Sequence, residues 1–188
     1  MTTESEQLYK IIEALPETLR AEIVDGEIIV NAATPLNQHA FVVSRLRKVI
    51  GEVDGLIALE VTTVELTATQ EAYVPDLAYY LLGDLDPQQW LNPAHALVLA
   101  VEVVSGLDGS NAARRDRKDK ARGYAASGVP LYLLVDRPRR LVVLHSTPKY
   151  SEQAKADRYS HITQIGFGDQ LELPEPFSRT IDTSQFVG

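Results

Sequence analysis

Apolar residues recur along the chain with two periods, and the first three elements read clearly. Residues 4–15 place Leu8, Ile11, Ile12 and Leu15 at helical spacing, a short docking helix that Pro16 ends. Residues 22–31 hold two β-rich stretches about Asp25-Gly26, the dipeptide of a two-residue hairpin turn. A second helix is expected over 37–53, where Phe41, Val42, Leu46, Val49 and Ile50 repeat with helical period and Gly55 follows. Residues 56–66 then read as one strand. Residues 73–82 read as another, with Pro75 near its start, where a missing N–H is tolerated.

After a loop or short helix around Trp90, Leu97–Val104 (LVLAVEVV) is apolar on both alternating faces, the pattern of a central strand covered from two sides. A Gly/Ser/Asp loop at 105–110 leads to a polar helix over 111–127 with Gly128 past its end. Residues 130–136 and 139–146 make two strands about a tight turn at Arg137-Pro138. The second of them looks exposed, an edge open to a second copy of the chain. A last strand is expected at 158–165, and the Pro-rich run ELPEPF has no assigned place. The order α, ββ, α, β, β, β, α, β, β is that of a mixed α/β fold. No linker composition and no 20–50-residue period interrupts it, so residues 1–188 are taken as a single domain.

Composition narrows the chemistry. With no cysteine, disulfides, thiolate metal sites and a cysteine nucleophile are excluded. The N-terminus lacks the basic and apolar segments of a signal peptide. The longest apolar run, 96–104, contains Glu102 and is too short to span a bilayer, so a cytoplasmic protein with no membrane partner is expected. A net charge of −8 argues against a broad basic surface for nucleic acid. Yet Arg114, Arg115, Arg117, Lys118, Lys120 and Arg122 fall within nine residues, enough for one local positive face.

Glu102 is the most informative position. Inside LVLAVEVV an ionised carboxylate costs several kcal/mol unless a cation or hydrogen bonds compensate. The plain alternative is a Glu at an exposed strand end paired with a surface Arg. Asp76 is its natural companion, since it too is joined to an apolar strand (LAYYLL), although Pro-Asp is also an ordinary turn pair. Two such acids suit Mg²⁺, which takes one or two carboxylates together with waters and phosphate oxygens. Asp116, Lys120 and Tyr124 lie four apart and share a helix face. Taken alone, Asp116–Lys120 is a surface ion pair worth about 0.3–0.5 kcal/mol. If that face turns over the strand end bearing Glu102, the lysine can steady charge on a phosphate.

Other sites fare worse. The four histidines, His39, His95, His145 and His161, show no paired zinc spacing, and no GxSxG, Walker A or GxGxxG segment occurs. Tyr79, Tyr80, Tyr124 and Tyr132 are read first as packing residues. A glycosidase is disfavoured by the neighbouring lysine and a single Trp.

With these residues in hand, the chain resembles the Uma2 family of the PD-(D/E)xK nuclease superfamily. The matching pieces are EIVDGE, NQH, VPDLAYY, VEVVS, DRKDK followed by Tyr124, and SGVPLYLLVD, in order and at matching spacing. The resemblance implies a restriction-endonuclease-like core, a central mixed sheet flanked by helices, with Asp76 and Glu102 as metal ligands. In the wider superfamily a lysine stands two residues after the second acid, where this chain has Val104. Uma2-like proteins carry it on the following helix, and Asp116 with Lys120 fits that relocation. Glu22 matches an N-terminal acid that completes the site, and His39 a residue near it. The Ser105–Asn111 segment lacks the Pro that often follows the Ser.

The expected function is therefore Mg²⁺- or Mn²⁺-dependent cleavage of nucleic acid, DNA first. Asp76, Glu102 and the carbonyl of Val103 would hold the ion, Lys120 and Glu22 would complete the catalytic set, and Arg117, His39 and Tyr124 would lie on the substrate side. The alternative is a silent module of the same fold that acts by binding or as a homodimer.

Overall fold

A computed structural model describes residues 3–16, 19–32, 35–104, 107–149 and 158–186; Ser105 and Gly106 of the expected loop lie outside them. Helix α1 (Thr3–Glu13) leads into a hairpin of β1 (Leu19–Val24) and β2 (Glu27–Ala32), and α2 (Asn37–Ile50) follows. Next come β3 (Leu56–Leu59), β4 (Thr63–Leu66), β5 (Glu71–Tyr73), β6 (Leu77–Leu81), β7 (Leu91–Pro93) and β8 (Leu97–Val104). The third helix, α3 (111–126), has α-helical ends, Asn111–Arg114 and Lys120–Ala126, on either side of a π-helical turn, Arg115–Asp119. It is followed by β9 (Leu131–Asp136), β10 (Leu141–Lys149), β11 (Arg158–Gly166) and a small hairpin of β12 (Gln170–Leu173) and β13 (Arg179–Asp182).

The central sheet has the order β11-β10-β9-β8-β6-β3, and a second sheet the order β2-β1-β5-β4-β7. Within the central sheet β8 and β9 pair in parallel and the other pairs are antiparallel, so the sheet is mixed. Strand periodicity assigns its two faces. Leu77, Tyr79, Leu99, Val101, Val103, Leu131, Leu133 and Val135 pack with Val42, Val43, Leu46 and Ile50 of α2 and with Leu171, Leu173 and Ile181 of the small hairpin. Their neighbours Ala78, Tyr80, Ala100, Val104, Tyr132 and Leu134 pack with Tyr124 and Ala125 of α3 and with Val24, Val64, Leu66 and Tyr73 of the second sheet. All eight residues of β8 are buried, as a strand covered on both faces must be. The tetrad of tyrosines named above is buried packing: Tyr79, Tyr80, Tyr124 and Tyr132 are each no more than 1% exposed.

Five expectations need correction. Residues 56–66 are two strands, because Val61 takes a left-handed φ of 56° and turns the chain from the central sheet into the second. Residues 73–82 are likewise divided. β5 belongs to the second sheet and β6 to the central one, and Pro75-Asp76 forms the corner between them. Helix α2 stops at Ile50 rather than near 53, since Gly51 caps it at φ 70° with its N–H on the Arg47 carbonyl, 2.9 Å. And β10 is no edge: it is hydrogen-bonded to β9 on one side and β11 on the other, which removes the basis for a dimer through it. In α1 the docking face is also shifted, with Tyr9 buried beside Leu8 and Ile12 while Ile11 is exposed. Among the described residues no helix is long and apolar enough to cross a membrane.

Candidate active site

Strand parity decides where Glu102 points. It shares a face with Ala100 and Val104, so it faces α3 rather than α2, and it is 4% exposed. The π turn in α3 inserts a residue before Lys120, and the wide turn is held from below by the Tyr132 hydroxyl, which donates to the Asp116 carbonyl at 2.6 Å. From there Lys120 reaches inward: its Nζ lies 2.8 Å from Glu102 Oε1, 2.7 Å from Glu22 Oε1 and 3.7 Å from Asp116 Oδ1. Tyr124, one turn on, places its hydroxyl 3.4 Å from the same Glu102 oxygen. Glu22 comes from β1, and its Oε1 also accepts the Val74 N–H at 2.7 Å, which ties the hairpin to the corner between the sheets.

That corner presents Asp76. Its backbone N–H donates to the Val101 carbonyl at 3.1 Å, and its Oδ2 accepts the Val103 N–H at 2.8 Å, so the side chain continues a ladder the backbone has left. The other oxygen, Oδ1, lies 3.0 Å from Nε2 of His39 in the first turn of α2. Five separate stretches of chain thus meet at one place.

Electrostatics there are unbalanced. Glu22, Asp76, Glu102 and Asp116 gather about one lysine. Burial, and then the charges of Asp76, Asp116 and Glu22, hold the Glu102 carboxyl well above the usual range against the pull of Lys120. Asp116 is raised to about 6, by burial first, with Glu22 and Asp76 adding to it. Burial alone would lower Lys120, but Glu102, Glu22 and Asp116 outweigh it and hold the ammonium protonated well above its usual range. Such a lysine can donate hydrogen bonds and charge; it is no general base. Tyr124 keeps its proton too, raised by burial and by Glu102 and Glu22.

These groups line a cavity of about 580 Å³, together with Arg20, Arg115 and Arg137. Among the described residues these three arginines make no salt bridge, whereas Arg47, Arg114, Arg117, Arg122 and Arg139 all do. Of the residues expected from sequence, Asp76, Glu102, Lys120, Glu22, Val103 and His39 meet in this cavity, and Tyr124 supports it from behind. Arg117 does not line it. Its Nε and Nη2 grip Asp136 at 2.6 and 2.8 Å, and Arg115, two residues earlier, lines the cavity. Arg20 and Arg137 were not foreseen here, and Arg115 only as a member of the basic cluster. A signal for Arg20 existed, since two residues before Glu22 on a strand is the same face.

The fold and the acid–lysine pocket define a restriction-endonuclease-like protein. The model of the Uma2 family, described as "Putative restriction endonuclease", matches residues 4–183, and the chain belongs to that family. Among solved structures, it is similar to "a putative nuclease belonging to DUF820" from Anabaena variabilis ATCC 29413, at 17% identity and a TM-score of 0.68, covering 99% of this chain and 97% of that one. No curated protein matches the chain.

Proposed function

We propose that the protein is a metal-dependent nuclease that hydrolyses phosphodiester bonds of nucleic acid, DNA in the first place. The observation that carries this is the excess of carboxylates around the buried Lys120, in the lining of a cavity that also holds three arginines with no salt bridge among the described residues. The donor set fits a hard divalent cation: the ligands are oxygens, the cluster has negative charge to spare, and Mg²⁺ asks for only one or two carboxylates. Asp76 and Glu102, with the carbonyl of Val103, would hold Mg²⁺ or Mn²⁺, and Glu22 would complete the acidic wall. The ion would supply Lewis-acid polarisation and an acidified water.

The chain's own groups have distinct tasks. Lys120, fixed as an ammonium, donates to a non-bridging phosphate oxygen and offsets the charge that grows there. His39 holds Asp76 in one rotamer through Oδ1, while the Val103 N–H holds it through Oδ2. Tyr124 keeps Glu102 aligned along the same edge. Arg20, Arg115 and Arg137 meet the backbone phosphates, the term that dominates nucleic-acid affinity.

The test is cleavage of single- and double-stranded DNA with Mg²⁺ or Mn²⁺, beside Glu102→Ala and Asp76→Ala. Calorimetry with Mn²⁺ gives a second readout: binding should be measurable in the wild type and lost in Asp76→Ala. Cleavage that survives Glu102→Ala sinks the assignment.

A second reading is a silent module that keeps the fold and binds without turnover. It draws on Lys120 already engaging Oε1 of both Glu22 and Glu102, and on the described residues offering no ready group of three His, Asp or Glu side chains for a metal. No Mn²⁺ affinity at millimolar concentration would favour it.

A further inference from the structure

At Asp108, which lines the cavity, two guanidinium groups that lie outside its lining converge on one oxygen. Arg117 Nη1 lies 2.7 Å and Arg139 Nε 3.0 Å from Asp108 Oδ1. Arg117 does not depend on Asp108 for its position, and Arg139 is anchored by its backbone. Arg117 is held from behind by the bidentate grip of Asp136, whose side chain is 3% exposed, which uses Nε and Nη2 and leaves Nη1 aimed outward. Arg139 rides on the β9–β10 turn, and its backbone N–H is tied to the same carboxylate, Asp136 Oδ1, at 3.3 Å. Asp108 is the loosely held member: it sits in the loop before α3 and its side chain is 53% exposed. Exposed carboxylates on arginine are weakly bound and exchange readily with other anions. A pair of guanidinium donors on one anionic oxygen is also how arginine recognises phosphate.

We propose that Arg117 and Arg139 form a phosphate site that Asp108 fills from within the chain, and that a nucleic-acid backbone phosphate displaces it on binding. As a step in substrate recognition this rests on the nuclease assignment; as an anion site it does not. Asp108, Arg137 and Pro138 line the same cavity as Glu102 and Lys120, so a phosphate taken here belongs to a nucleotide beside the one at the acids. Asp108 then acts as a gate whose charge excludes weak anions and yields to a strand that Arg20, Arg115 and Arg137 already hold. Were Asp108 only a staple for its loop, neutralising it would loosen the wall and leave anion affinity unchanged or lower.

Two titrations of the full chain without divalent cation separate these outcomes, one with inorganic phosphate by calorimetry and one with a labelled oligonucleotide by anisotropy. Asp108→Asn should tighten both by about fivefold to tenfold. Adding Arg139→Gln to it should reverse the gain and lessen the slope of log K against log salt for the oligonucleotide by about 0.9. Phosphate affinity in Asp108→Asn equal to or below wild type overturns the gate, even if the wild type binds and cuts DNA. Tighter phosphate with no oligonucleotide binding in any variant keeps the anion site and removes the nuclease assignment. Failure of both probes to bind overturns both.

Discussion

Glu102 and Glu71 are both buried against α3, at 4% and 2% exposure, yet their surroundings differ in kind. Glu71 is fully served. Its Oε1 accepts the Asp25 N–H at 2.8 Å and lies 3.5 Å from Arg122 Nη2, and its Oε2 accepts the Tyr73 hydroxyl at 2.7 Å. It does not line the cavity. Glu102 instead shares one lysine with Glu22 and Asp116, in a cluster whose acids outnumber its cation, and it faces the cavity. A satisfied buried carboxylate fixes a hairpin to a helix. One left short of positive charge is held at a cost to the fold, and that cost is reasonable only where a ligand supplies what is missing.

The comparison breaks most visibly at Glu102. Glu102→Gln keeps the shape and hydrogen-bonding capacity of the side chain but removes its charge. Cleavage should fall by about a thousandfold or more, a barrier increase of about 4 kcal/mol. Stability should hold or rise, because burial and three other acids already push Glu102 toward its neutral form. Gel cleavage assays and denaturant melts check the two halves. A clear loss of stability would mean that Glu102, like Glu71, serves the fold.

Lys120→Met should do the opposite to the fold. With the ammonium gone, Glu22 and Glu102 remain buried, with Asp116 half-buried beside them, without their counter-charge, and breaking such a set costs about 3–5 kcal/mol. A urea midpoint shift is the measurement, and a shift of under about 1 kcal/mol would deny that this lysine is the cluster's cation.

Asp116 gives the same contrast a pH dependence. Its folded-state carboxyl is raised to about 6, so between the unfolded value near 3.8 and about 6 the folded chain holds a proton that the unfolded chain releases. The stability this contributes is present at low pH and lost as pH rises through about 6, on the order of 2–3 kcal/mol in total. Asp116→Asn should flatten that part of the curve, as read from denaturant melts at pH 5 and pH 7.5 in variant and wild type. A parallel pair of curves would show that Asp116 lies outside the cluster's electrostatics.

How much of this the sequence discloses follows from where each constraint acts. Glu102 announces itself because every neighbour is apolar, and β8 keeps its alternation from end to end. Asp76 reads as a companion acid only beside Glu102, and Glu22 gains meaning only from the family resemblance, since the corner that turns Asp76 back toward β8 is a tertiary event with no period. The two divided strands were illegible for that reason: apolar alternation runs on through Val61 and Pro75, while the chain changes sheets. The π turn at Arg115–Asp119 is invisible as well, because one inserted residue leaves a polar helix looking like a polar helix. It leaves Arg115 lining the cavity and Arg117 on Asp136. The Glu71 cluster was missed because Glu71 stands ahead of the strand expected at 73–82, and its partners lie 46 and 51 residues away.

Gly123 tests the closed cluster by itself, with the smallest expected effect. It sits on α3 where the helix comes closest to β5. A Cβ there would collide with the Tyr73 hydroxyl and stand 2.8 Å from Glu71 Oε2. Neither atom is free to retreat, because each is bonded to the other and Glu71 is also bound to the Asp25 N–H. Gly123→Ala should therefore raise helix propensity and still destabilise the fold, by about 1–3 kcal/mol of overpacking. Its cleavage rate per folded molecule should stay within about threefold of wild type, a change of under 1 kcal/mol in barrier. Thermal melts give the first number and active-fraction kinetics the second. If the folded variant instead loses cleavage with its melt unchanged, the two clusters communicate through α3, and the division of one for the fold and one for the chemistry is wrong.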